Sequence, residues 1–96
     1  MAHEGYHEPV DKLSPGTMDF HRAVVSLIEE LEAVDWYNQR VDACTDPALK
    51  AILAHNRDEE IEHASMTLEW IRRKNAVFDR ELREALFKTG PITGQH

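Results

Sequence analysis

The chain has 96 residues and a formal net charge of −7 at pH 7, with 18 acidic and 11 basic side chains. This length allows one small domain, and the acidic balance argues against nucleic acid as a partner, because phosphate binding needs a basic surface. A single cysteine, Cys44, excludes an intrachain disulfide and favours a reducing compartment. No apolar run approaches the ~20 residues that a membrane-spanning helix requires, so we expect no membrane partner.

Residues 1–13 lack a helical period and begin with a polar, acidic stretch. They contain neither the basic segment nor the apolar segment of a signal peptide. We therefore expect an intracellular protein with a flexible N-terminal arm over residues 1–13.

The first long helix has a clear start signal at Ser14 and Pro15. Serine accepts hydrogen bonds from the free amides of a first helical turn, and proline fits the first helical position. Apolar residues then recur at intervals of three and four, which predicts a helix that continues to about Ala43.

Asp46 and Pro47 repeat this start signal, and the second helix is predicted to end near Lys74. Asn75 is then expected to cap a short third helix that ends near Lys88. Residues 89–96 are predicted to form a C-terminal tail.

The predicted fold is all-α. Only a few residues join the two long helices, so these helices must fold back on each other as an antiparallel hairpin, within a domain that spans residues 14–88. A hairpin of this size has too little interior to cover both of its apolar faces. We therefore expect two copies to associate into a four-helix bundle.

On each long helix, the apolar residues spaced three and four apart form a line along one face. Polar side chains interrupt this apolar line. On the first helix, Glu30 shares a line with apolar or aromatic residues, among them Val34 and Tyr37. The second helix carries the tetrapeptide EIEH, a Glu-x-x-His motif in which Glu60 and His63 face the same way, one turn apart.

These lines predict a metal site shared between two chains. A buried carboxylate is costly unless it is paired or binds metal. Di-iron carboxylate bundles take a Glu from each of two helices and a Glu-x-x-His from each of two more, so one chain supplies half of such a site. Carboxylate oxygens with one imidazole per metal suit iron or manganese better than a thiolate-preferring metal.

The alternative interpretation of the same residues is a solvated acidic face. A Glu-x-x-His motif also arises by chance, as the second instance at Glu4 and His7 illustrates. A helical scaffold without catalytic activity, or a protein that buffers zinc or manganese, would also accommodate these residues. The position of Glu60 and His63 on the apolar line, with Glu30 on the partner helix, favours the metal site.

Other acidic residues lie on different helix faces. Glu29 and Glu32 would cluster across a two-fold axis and could admit hydrated cations, although a solvated face explains them equally well. His55, Glu59 and Glu62 share a separate stripe of the second helix, which could be a weak peripheral metal site or plain surface.

Long stretches of the sequence closely resemble the encapsulated ferritins, which are two-helix members of the ferritin-like group housed inside encapsulin shells. The matching stretches are IEELEAVDWY (28–37), LAHNRDEE (53–60), EH (62–63) and MTLEWIRR (66–73). The likeness extends over about residues 7–93. It identifies residues 14–88 as a ferritin-like helical hairpin domain.

The resemblance implies a ferroxidase centre in which each iron takes ligands from both chains of a dimer. Glu30, Glu60 and His63 match the iron ligands of the family, and Fe would be bound as a di-iron pair. Trp36 and Tyr37 match aromatic residues beside that centre, and Tyr37 is expected to act with the ligands in catalysis.

Two secondary sites are also implied by the resemblance. Glu29 and Glu32 match an acidic pair that holds metal where it enters the protein. His55, Glu59 and Glu62 match a peripheral site on the outer face. Calcium or zinc is expected at such secondary sites.

The resemblance further implies a homodecameric ring of dimers that oxidises Fe(II) to Fe(III) with O2. The partner would be an encapsulin shell protein, and the location a nanocompartment in a prokaryotic cytoplasm, where the shell stores the iron. Family members usually carry a flexible C-terminal tail that ends in a short apolar targeting peptide containing Gly and Leu, and residues 91–96 show no such segment. We expect either a truncated chain or another route to the shell.

Overall fold

The computed structural model describes residues 5–94, and within this range all regular structure is helical. A short 3-10 helix (Val10–Lys12) precedes three α-helices, α1 (Pro15–Ala43), α2 (Pro47–Lys74) and α3 (Ala76–Ala85). The helices α1 and α2 pack along each other as a hairpin, and α3 packs on α2. The predicted all-α hairpin with a short third helix is confirmed.

Each α-helix begins where the sequence predicts, because a polar side chain accepts a hydrogen bond from a free amide of the first turn. These capping bonds run from the Thr17 amide to Ser14 Oγ (3.1 Å), from the Leu49 amide to Asp46 Oδ2 (2.8 Å) and from the Phe78 amide to Asn75 Oδ1 (2.9 Å). Pro15 and Pro47 occupy the first helical positions of α1 and α2.

The predicted end of the third helix near Lys88 is wrong, because α3 ends at Ala85. Leu86 already has an extended backbone, with φ −90° and ψ 149°, and Phe87 adopts the left-handed region at φ 59°. The apolar pair of Leu86 and Phe87 continues the helical period in the sequence. In the structure, however, Phe87 is fully exposed, so no packing against α2 holds another turn in place.

The predicted N-terminal arm lies partly outside the described residues, since these begin at Gly5. Its described part contains the 3-10 helix and contacts α1 through Tyr6, whose ring lies 4.8 Å from that of His21 between centroids. The flexibility of this arm stays a prediction.

A single chain has a small interior for its length. Its radius of gyration is 17.1 Å, whereas a compact chain of this size would have roughly 12–13 Å. Among the described residues, Ala64 and Ile71 are the buried apolar side chains, while Met66 and Trp36 are each more than half exposed. Exposed apolar surface of this extent is typical of a chain that associates with another protein surface.

No helix of the described range has both the length and the hydropathy that a membrane crossing requires.

An ion-pair network holds α3 against α2. The Arg72 guanidinium donates to both carboxylate oxygens of Glu69 (2.7 Å each) and also to Asp79 of α3. Arg73 donates to Glu69 (2.7 Å), and Arg83 donates to Asp79 (2.9 Å). The hydrogen bonds from Arg72 and Arg73 lower the pKa of Glu69 from 4.5 to about 2, and those from Arg72 and Arg83 lower the pKa of Asp79.

This network predicts that the attachment of α3 weakens in acid. An acid whose pKa is lowered by folding stabilises the folded state above its ordinary pKa, and this stabilisation is lost as the pH falls through the lowered value. We expect Arg72→Met to lower the midpoint of denaturant unfolding at pH 7, and the difference from the original chain to shrink as the pH falls from about 4.5 towards 2. Arg80→Met is the matched control, since Arg80 contacts Glu81 within α3. If the difference in unfolding midpoint between Arg72→Met and the original chain is the same at pH 7 and pH 3, the ion-pair network does not stabilise the fold.

Candidate metal centre

The antiparallel packing of α1 and α2 brings the predicted iron ligands to the same level, that is, to the same position along the long axis of the hairpin. On one side of that level, Arg57 Nη1 of α2 donates to Asn38 Oδ1 of α1 across 3.0 Å. On the other side, Ser26 of α1 and Met66 of α2 line one open groove. Glu30 lies between Ser26 and Asn38, and both Glu60 and His63 lie between Arg57 and Met66.

Glu30 has a buried polar atom for which the described part of the chain supplies no hydrogen-bond partner. Its side chain is half-buried against the hairpin, and its Oε1 atom is buried with no hydrogen-bond partner among the described residues. A buried oxygen without a partner is destabilising, and native proteins seldom keep one without a reason. A carboxylate oxygen of this kind, level with a further carboxylate and an imidazole, fits a divalent metal such as iron.

Glu60 and His63 form the second half of the donor set on α2. His63 Nδ1 lies 3.7 Å from Glu60 Oε2, and the two side chains are 46% and 28% exposed, respectively. This separation is too long for a hydrogen bond, so the lone pairs of both groups remain open to a shared ligand. The predicted one-turn spacing therefore places a carboxylate and an imidazole side by side at an open edge of the hairpin.

The donors of one chain do not make a complete site. Within residues 5–94, no three side chains of His, Cys, Asp or Glu come together in a group that could hold a metal ion. Metal ions of this class need four to six ligands. Further ligands must therefore come from water or from a second chain.

Because the buried Glu30 oxygen has no hydrogen-bond partner among the described residues, replacing Glu30 should change the free energy of unfolding. We expect Glu30→Met to raise the free energy of unfolding of the metal-free protein by about 1–3 kcal/mol, because it removes an unsatisfied buried acceptor. Thermal unfolding in the presence of a chelator measures this difference. The exposed neighbour serves as control, and Glu29→Met should change stability by no more than about 0.5 kcal/mol. If Glu30→Met is no more stable than Glu29→Met, Glu30 is already satisfied in the apo protein.

The two predicted aromatic residues differ in their surroundings. Tyr37 is half-buried, and the guanidinium carbon of Arg40 lies 5.2 Å from its ring centroid, within the range of a cation–π contact. Trp36 is 52% exposed and lines a shallow surface depression with Gln39 and Arg40. The roles predicted for both residues beside an iron centre stay predictions.

The residues of the two predicted secondary sites lie at the surface of the single chain. Glu29 is exposed, and Glu32 is half-buried. His55 Nε2 lies 2.7 Å from Glu59 Oε1, and Glu62 is exposed on the same stripe. The contact places His55 and Glu59 side by side on α2, while the grouping with Glu62 and metal binding at either site stay predictions.

Sequence reasoning did not single out Asn38 and Arg57, which connect the two long helices beside the candidate ligands. Arg57 stands one turn before Glu60, on the side of α2 that faces α1, and its side chain is only 26% exposed. An arginine in the middle of an otherwise acidic stretch (HNRDEEIEH, residues 55–63) is the signal that could have indicated it.

Comparison with known proteins supports the assignment of the fold and the family. The chain matches the EncFtn-like family over residues 5–89. A solved crystal structure of a Nitrosomonas europaea protein superposes with a TM-score of 0.89 at 64% sequence identity, and covers 95% of this chain and all of the other.

Two curated relatives have informative names. An "Encapsulated ferritin-like protein" of Rhodospirillum rubrum is 66% identical over 87 residues, which are 91% of this chain and 62% of the relative. The "Encapsulin nanocompartment cargo protein EncC" of Myxococcus xanthus is 39% identical over 64 residues, which are 67% of this chain and 49% of the relative. The chain thus spans less than two thirds of the length of either relative. On the family match over most of its length, the chain belongs to the EncFtn-like family.

Proposed function

We propose that this chain is a ferroxidase, which oxidises Fe(II) to Fe(III) with O2 at a di-iron centre formed between two copies. The observation that carries the proposal is the buried Glu30 oxygen, which has no hydrogen-bond partner within residues 5–94 and lies at the same height along the hairpin as Glu60 and His63. Two copies would supply two carboxylates and one imidazole each. This is the ligand composition of di-iron carboxylate bundles.

The proposed ligands, two carboxylates and one imidazole from each chain, suit the increase in positive charge that accompanies the oxidation of Fe(II) to Fe(III). Two Fe(II) ions each lose one electron, and O2 accepts the pair together with two protons. The positive charge of the site rises by two, and carboxylates compensate for it better than neutral ligands. His63 adds a nitrogen donor whose neutral form binds iron without adding charge. His63 is 46% exposed in the single chain, so its side chain is accessible to a metal ion and to a second copy.

Exposed apolar surface on the single chain supports the association of two copies. Met66 and Trp70 line the open groove beside the ligands, and both are more than one third exposed in the single chain. A second copy would cover this groove and complete the centre, and we propose that such dimers build a homodecameric ring.

We further propose that the protein delivers iron for storage inside an encapsulin shell in a prokaryotic cytoplasm. The names of the two curated relatives, one encapsulated and one a nanocompartment cargo, support this partner.

Oxygen uptake on addition of Fe(II) under air tests the catalytic proposal. The expected result is O2 consumption proportional to the added Fe(II), well above the rate in buffer alone. A non-catalytic scaffold would bind no stoichiometric iron, whereas a zinc or manganese buffer would bind metal without consuming O2. Zn(II) added first should inhibit uptake, because it takes the same ligands and does not change oxidation state.

A further inference from the structure

The proposed ligands lie on two different helices, so their spacing depends on how α1 and α2 are aligned. Metal sites tolerate errors of only about 0.5 Å in ligand position. Among the described residues, Ala64 is the buried apolar side chain near the ligands and the next, Ile71, lies about two turns away, while apolar residues of α1 such as Val34 are half-buried. Because apolar packing is non-directional, a hydrogen bond between the two helices would define their alignment more closely than packing alone.

The Arg57–Asn38 hydrogen bond has the geometry for this task. Arg57 Nη1 donates to Asn38 Oδ1 of the opposite helix (3.0 Å), while Arg57 Nε donates to Asp58 Oδ1 (3.1 Å). The planar guanidinium is thus held on two sides and cannot turn without breaking one of the two bonds. Its side chain is only 26% exposed, in contrast to 64% for Asp58. Arg57 also stands one turn from Glu60, so a shift of Arg57 along α1 carries the ligand with it.

We infer that Asn38 and Arg57 are positioning residues, which fix the register of α1 against α2 and thereby the spacing between Glu30 and the Glu60–His63 pair. This inference rests on the proposed metal centre and adds to it two residues that bind no metal themselves. Partners that orient ligands from outside typically change metal affinity by about 10–100-fold when they are removed.

Asn38→Ala is the variant that tests this role, and Co(II) is the metal probe. Visible absorption of bound Co(II) reports the geometry of its ligands and does not depend on turnover. We expect Asn38→Ala to shift the Co(II) bands, to weaken Co(II) binding about tenfold and to lower the rate of Fe(II) oxidation, with helicity unchanged. Asn38→Asp should restore the Co(II) bands, because a carboxylate accepts the same hydrogen bond from Arg57.

Gln39→Ala is the matched control. Gln39 is the next residue of α1 and, like Asn38, is exposed, but its amide donates to Asp35 of the same helix (3.2 Å). If Asn38→Ala gives the same Co(II) spectrum and affinity as Gln39→Ala, the positioning role is overturned while the metal centre stands. If the assembled mass falls but the Co(II) spectrum is unchanged, the bond serves assembly and the inference is also overturned. If the original chain binds neither Co(II) nor Fe(II), the proposed function fails, and this inference fails with it.

Discussion

Glu60→Ala and His63→Ala are each expected to abolish rapid Fe(II) oxidation, with a loss of at least about 100-fold. Each substitution removes the same ligand from both copies, so both irons of the pair lose a donor at once. The side chains contribute little to the fold, because Glu60 and His63 are partly exposed and make no hydrogen bond to each other. The loss of activity should therefore come without a loss of helix.

Initial rates of O2 uptake on adding Fe(II) measure this effect, and far-ultraviolet circular dichroism measures the helical content. His7→Ala and Glu84→Gln are suitable controls, since both residues are exposed and lie away from the proposed ligands. They should retain the original rate. Oxidation at an unchanged rate in either Glu60→Ala or His63→Ala would show that the iron reacts elsewhere.

Divalent metal is expected to drive assembly of the protein from monomer or dimer towards a larger ring. In the apo state, association would bring the carboxylates of Glu30 and Glu60 from two copies together, and like charges oppose such a contact. A metal ion bound between the copies would reverse this repulsion and would favour the assembled form, which alone holds the complete proposed site. At a metal concentration 100 times the dissociation constant, this linkage stabilises the assembled form by about 2.7 kcal/mol for each site.

Light scattering coupled to size-exclusion chromatography measures the mass with and without Fe(II) under anaerobic conditions. The mass should rise on addition of metal and fall again with a chelator. Glu30→Met should weaken this response, because it removes a proposed ligand and also lowers the repulsion in the apo interface. A mass that does not respond to metal would contradict the coupling, even if the protein oxidises iron.

The starts of all three helices could be predicted from the sequence because their signals are local. Ser14, Asp46 and Asn75 each bond an amide three residues ahead, and such contacts need no knowledge of the tertiary structure. The end of α3 could not be predicted in this way. Leu86 and Phe87 continue the apolar period, but the backbone leaves helical geometry at Leu86 and the Phe87 side chain is exposed, which the local pattern does not indicate.

The location of the site was partly predictable for a similar reason. A short connection requires an antiparallel hairpin, and this topology alone places Glu30 level with Glu60 and His63. The contacts made by Arg57 and Arg72 were not predictable, because they depend on the rotation of each helix and on the angle between α2 and α3. Helical periodicity does not determine the rotation or the angle closely enough to predict which side chains come within hydrogen-bond distance.

If the proposed function is correct, the symmetry of a dimer completes a site of which one chain holds half. Anomalous diffraction at the iron absorption edge, from crystals soaked anaerobically in Fe(II), tests it most directly. We expect two neighbouring iron peaks between two copies, each within coordinating distance of Glu30, Glu60 and His63 side chains drawn from both chains. Iron bound by the side chains of a single chain, or a contact between copies that contains no metal while these side chains face solvent, would contradict it.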